Sequence, residues 1–216
     1  MKLLTTLFLI IISFNYSILK AQSNFSEFSG KFKEIDFPFQ INDSLAFEEW
    51  NFNDFITTDH VVEFDLITKY VNTDYPLELQ DYKCSRVGKY RIGDYVVLLY
   101  KTYTTEAGSG NPKIILLTFT LTGEQKSDAV VLWDNVEDPF YSQKVMLTIP
   151  NNTTFVIKSI VRDYGFLQDK IVPKRVTEKI ISYEIRKDGI IEKKEEITKE
   201  IFIDTNPDIL DDFPDK

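Results

Sequence analysis

The stretch that decides the fold is Ile180-Ile181-Ser182-Tyr183-Glu184-Ile185-Arg186-Lys187-Asp188-Gly189-Ile190-Ile191. Two runs rich in β-branched residues flank an Asp-Gly pair, and Asp-Gly suits a tight turn whose centre needs positive φ. With Asp188-Gly189 as a two-residue turn, Lys187 faces Ile190. Counting outward then sets Glu184 against Lys193 and Glu178 against Lys199. Both are pairs of opposite charge, as cross-strand neighbours prefer. Lys193-Lys194-Glu195-Glu196 offers no apolar face, so this strand is expected at a sheet edge, where charge discourages unwanted pairing.

Moving toward the N-terminus, the same grammar repeats from about residue 82 onward: short β-type runs separated by turn residues. Val145 to Ile149 and Thr154 to Val161 flank Pro150-Asn151-Asn152 and read as a hairpin. Ile114 to Leu121 is followed by Thr122-Gly123-Glu124, which turns the chain into a strand around Ala129 to Trp133. Tyr95-Val96-Val97-Leu98-Leu99-Tyr100 is apolar at every position and reads as a central strand covered on both faces. Gly108-Ser109-Gly110 lacks a following Lys and helix, so it is hairpin punctuation and no phosphate cradle.

One helix is expected near residues 59–71, capped by Asp59, with Phe64, Ile67 and Val71 on one face. The fold class is therefore mostly β, an antiparallel meander with that single short helix. A sandwich, an open barrel and stacked blade-like small sheets all satisfy the pattern, and no internal repeat argues for a full propeller.

The chain begins with Met1-Lys2 and a run of about ten mostly apolar residues to Ile12, too short for a membrane span and of the form of a secretion signal. Ala21 supplies the small residue before a cut, leaving Gln22 first. The expected organisation is a signal peptide at 1–21, one β-rich domain at 22–204, and an acidic tail at 205–216. Residues 22–58 form an aromatic-rich opening segment with Phe25, Phe28, Phe32, Phe37, Phe39, Phe47, Trp50, Phe52 and Phe55, read chiefly as core packing. A secreted or periplasmic location follows from the signal, and no membrane span is expected after its removal.

Loss of Lys2 and Lys20, with no acid in the removed segment, takes the formal charge from −9 to −11. Such an acidic surface does not attract phosphate backbones, so nucleic acid is not an expected partner. The single cysteine, Cys84, leaves no intramolecular disulfide. Lys83 and Arg86 beside it would favour a thiolate, but a buried strand thiol accounts for it as well. Asn24, Asn42, Asn151 and Asn152 open Asn-x-Ser/Thr triplets, which matter only in a eukaryotic secretory route.

His60 is the only histidine, which removes every site needing two imidazoles. As general base, with Asp59 or another acid as orienter, it is the one route to a serine or cysteine hydrolase. A glycosidase needs two carboxylates across a cleft, and Glu63, Asp65 and Glu184 are nameable members of a large set of acids. Asp204, Asp208, Asp211, Asp212 and Asp215 lack the spacing and glycine of a calcium loop. No metal site and no cofactor are expected. Trp50, Trp133 and Tyr141, with Tyr164, have the side chains that stack on sugars or anchor a protein.

The function expected is therefore non-catalytic binding of a glycan or protein partner. The alternatives are a secreted hydrolase using His60 or a carboxylate pair, and a structural envelope protein associating by strand edges.

Overall fold

A computed structural model describes residues 24–41, 54–67, 82–104, 113–127, 129–134, 136–138, 141–167 and 170–202. The expected signal segment, Trp50, the Gly108-Ser109-Gly110 loop and the acidic tail lie outside the described residues.

The chain is mostly β, in two antiparallel sheets. A four-stranded meander runs β2 (Tyr82–Ile92), β3 (Tyr95–Thr104), β4 (Lys113–Thr120), β5 (Val130–Asp134), each strand pairing with the next. The second sheet has six strands: β1 (Phe39–Ile41), β6 (Val136–Asp138), β7 (Tyr141–Ile149), β8 (Thr154–Leu167), β9 (Lys170–Ile185) and β10 (Ile191–Phe202). Its order is β1-β7-β8-β9-β10, with β6 also pairing with β7.

Of the three arrangements the sequence allows, the sandwich is the one formed. Val97, Leu99, Ile114 and Leu116 of the first sheet share one core with Val145, Leu147, Phe155 and Ile185 of the second. The intervening residues of the same strands, Val96, Leu98, Tyr100, Ile115 and Leu117, point the other way. There they meet a third layer made by α1 (residues 24–30) and α2 (Thr58–Glu63), through Phe25, Phe28, Val61 and Phe64. This is why β3 and β4 carry no polar alternation: both of their faces are covered.

α1 gives the aromatic segment its use. Phe25, Phe28 and Phe32 repeat at helical spacing and are all buried. Phe28 stacks on Phe64 at 4.5 Å, and Phe25 packs on Phe119 at 5.3 Å. The core-packing reading of these three residues holds.

The expected helix at 59–71 is shorter than expected, ending at Glu63. Asp59 lies in its first turn and Thr57 holds the cap position instead. Asp65 takes φ 48°, which leaves the helical path. The chain is then held by the buried Tyr100 hydroxyl, which donates to the Leu66 carbonyl at 2.7 Å. Phe64 and Ile67 are buried as their spacing predicts, while Val71 lies outside the described residues.

The hairpin is present with a different tip. Arg186 N–H donates to the Ile190 carbonyl, so the loop is Lys187-Asp188-Gly189, with Gly189 at φ 81°. That moves the inner register by one: Glu184 faces Glu192, and Lys193 faces Tyr183. A bulge between Lys193 and Glu195 absorbs the extra residue, and beyond it Glu178 faces Lys199 as expected. Glu184 still finds a lysine, since the bulged Lys194 reaches it at 2.9 Å. β10 ends the order of its sheet, as its charge predicts. Among the described residues no helix is long and apolar enough to cross a membrane.

Candidate functional site

The two sheets are fastened where the tip of the β9–β10 hairpin meets β4. Thr118, fully buried in β4, has its hydroxyl 2.5 Å from the Gly189 carbonyl oxygen and 2.8 Å from Ser127 Oγ. A carbonyl can only accept, so the Thr118 proton goes to Gly189 and the Ser127 hydroxyl supplies the second bond. Gly189 is required here twice over. Its φ is left-handed, and a Cβ would lie 2.7 Å from the Tyr95 ring.

Beside this clasp the sheets part into a groove of about 450 Å³. One wall is the segment after the β4 turn: Gln125, Lys126, Ser127, Ala129 and Val130. The turn itself is set by Gly123 at φ 87°, with Thr120 N–H bonded to the Glu124 carbonyl at 2.8 Å. The opposite wall comes from the hairpin: Tyr183, Ile190, Ile191 and Lys193. The groove thus joins an apolar strip to an amide, a hydroxyl-bearing aromatic and two ammonium groups.

Tyr183 is positioned by its cross-strand neighbour. Its ring lies parallel to Phe155, with centroids 4.8 Å apart and planes 9° off parallel. Burial raises the pKa of its phenol, with Lys193 opposing, so the hydroxyl stays protonated near neutral pH. Lys126 Nζ is 2.7 Å from Glu124, and Lys193 Nζ is 2.6 Å from Glu196. The hydrogen bond it donates to Glu196 raises the Lys193 pKa, while bonds from Lys179 and then Lys193 bring Glu196 down to about 2. Both ammonium groups are held by acidic partners at the rim. Such groups act as donors to a polar ligand.

Trp50 aside, which is outside the described residues, the residues singled out from sequence do not line this groove. His60 sits in α2, half-buried, with its ring 5.0 Å from Phe28 and its Nδ1 2.9 Å from Thr57 Oγ1. Among the described residues no carboxylate bonds to that ring, so the orienting acid of a triad is missing from its surroundings. Glu63 takes a bond from Asn24 at 3.3 Å, Asp65 follows α2, and Glu184 lies on the other sheet against Lys194. The elements do not bring these three acids to one cleft. Cys84 is buried, and desolvation pushes its thiol up to about 12, so it is no thiolate.

Trp133 occupies β5 with its backbone opposite Ile114, and its side chain lies outside the described ones. Tyr141, half-buried at the start of β7, donates to Gln143 at 2.8 Å, and the Tyr164 hydroxyl is 3.4 Å from Ser142. Among the described residues no group of three or more His, Cys, Asp or Glu is placed to hold a metal. Tyr183, Gln125 and Lys126 were not marked by the sequence. Thr118 and Gly189, which bring the two walls together, are 71 residues apart, and no local pattern reports such a meeting. No protein-family model, no curated protein and no solved structure matches this chain.

Proposed function

We propose that this chain is exported and acts as a non-catalytic binding protein, whose groove beside the hairpin clasp takes a glycan or a glycan-bearing envelope component. The observation that carries the reading is the composition of the groove. An aromatic ring backed by Phe155 stands among Gln125, Lys126 and Lys193 as polar donors, above an apolar strip of Val130, Ile190 and Ile191. Sugars ask for this combination, since their C–H faces pack on rings while their hydroxyls need paired hydrogen bonds. The volume of about 450 Å³ falls in the range of small-molecule sites. Export rests on the apolar run after Met1-Lys2 and on Ala21 before the expected cut.

The test is a titration of the purified protein with a panel of soluble oligosaccharides, followed by calorimetry. Gln125→Ala and Tyr183→Phe each remove one polar group and are expected to weaken binding by roughly 3- to 10-fold, the loss of one hydrogen bond. Binding indifferent to both substitutions would place the ligand elsewhere and overturn the groove. Cleavage of a sugar, abolished by His60→Ala, would move the protein to the hydrolase class. Amino-terminal sequencing of exported protein is expected to begin at Gln22.

A further inference from the structure

The far side of β10 carries a pattern that the groove does not explain. β2, an outer strand of the first sheet, is fringed by other chain segments: Ile35 N–H bonds to the Lys89 carbonyl, and Ile56 N–H to the Cys84 carbonyl. β10 has no such cover among the described residues, and it spans Ile191–Phe202 as the last strand of its sheet. Its first half is guarded by the bulge and by ion pairs of Lys193 and Lys194. Its second half presents Ile197, 50% exposed, and Ile201, 42% exposed.

Two charges flank Ile197 on its own face of the sheet, Glu195 before it and Lys199 after it. Among the described residues neither has an ion-pair or hydrogen-bond partner, although Glu196, Lys193, Lys194 and Glu192 around them are all engaged. Lys199 faces Glu178 across the ladder, but that carboxylate is bonded to Lys158. Glu195, and Lys199 whose attraction to Glu178 is shared with Lys158, stand symmetrically about an exposed isoleucine on an edge uncovered among the described residues, the pattern of a strand complementary to itself.

We propose that β10 is the interface between two copies of this chain, its edges paired antiparallel about a two-fold axis at Ile197. In that register Ile197 meets Ile197 of the second copy, and each Glu195 meets the other copy's Lys199. The isoleucine row Ile180–Ile197 then runs on without a break across the seam. Neighbouring registers are opposed by charge. A shift one way sets Glu196 against itself, and a shift the other way sets Glu196 against Glu200, each with like charges facing. Backbone hydrogen bonds would supply the affinity and the charges the register, which is strand addition between identical partners.

Sedimentation of the purified protein over a concentration series tests this. A dimer is expected at tens of micromolar or below, weakening as salt is raised. Glu195→Lys and Lys199→Glu each put like charges across the seam and are expected to weaken it by about tenfold or more. The double variant Glu195→Lys/Lys199→Glu restores opposite charges in the same register and is expected to recover to within about threefold of the wild type. Because the double variant carries both substitutions, its recovery separates a broken interface from a damaged fold. A wild-type monomer at about 100 µM, or a double variant no better than the single ones, would overturn the proposal.

Discussion

The centre of the first sheet and the free half of β10 use apolar residues in opposite ways. Leu98, Leu99, Ile115 and Leu117 are fully shielded, because the second sheet closes one face of β3 and β4 and the helical layer closes the other. Ile197, Ile201 and Phe202 are exposed, on a strand with neither a covering layer nor an outer neighbour among the described residues. Hydrophobicity alone does not distinguish the two regions; their layering does. The first region is built for stability, and the second keeps surface available.

The largest expected effect lies at the centre. Leu117→Ala removes a side chain that two layers enclose, and is expected to cost about 2–5 kcal/mol of unfolding free energy in denaturant titration. Ile201→Ala, the same kind of truncation on the open strand, should cost less than about 1 kcal/mol, measured on the monomer so that any association does not contribute. Equal losses at the two positions would break the comparison, since they would mean that β10 is covered.

Next in size is the clasp that joins the regions. Thr118→Val keeps the side-chain shape and deletes the hydroxyl, leaving the Gly189 carbonyl without its bond. A loss of about 1–3 kcal/mol is expected, read from the same titration. The groove wall formed by the hairpin should loosen with it, so ligand affinity should fall together with stability. A substitution without effect on either would show that the sheets hold their spacing without this bond.

The smallest effect concerns acid. Glu196 is held at about 2 by its bonds to Lys179 and Lys193, below an ordinary value near 4.5. A depressed carboxylate stabilises the fold above its unfolded pKa, and that contribution fades as pH falls toward the folded value. Weakening of the β9–β10 ladder is therefore expected between pH 4.5 and about 2, as this carboxylate takes up its proton. Glu196→Gln should flatten that response, as followed by the Tyr183 resonances. A response of unchanged size in the variant would assign the acid sensitivity to other groups.

Much of the fold was legible because its signals are local. The unbroken apolar run Tyr95 to Tyr100 announced a strand covered on both faces, and the charged run Lys193 to Glu196 announced an edge. The hairpin loop was misread by one residue because a bulge at Lys194 restores the outer register, and a charge pattern that fits beyond the bulge conceals it. α1 was present in the spacing of Phe25, Phe28 and Phe32, but aromatic density drew attention away from periodicity. The groove was not legible, because its walls come from segments joined only through Thr118 and Gly189. His60 drew notice by being the only histidine, and rarity says nothing about geometry.

Amide hydrogen exchange on the dilute monomer tests the division most directly. The amides of Val97 to Tyr100 and Ile114 to Leu117 are expected to exchange only through global unfolding, while those of Ile197 to Phe202 exchange far sooner through local opening. Equal protection along β10 and β4 at high dilution would contradict it, because a covered, closed strand would then stand where an open edge is described.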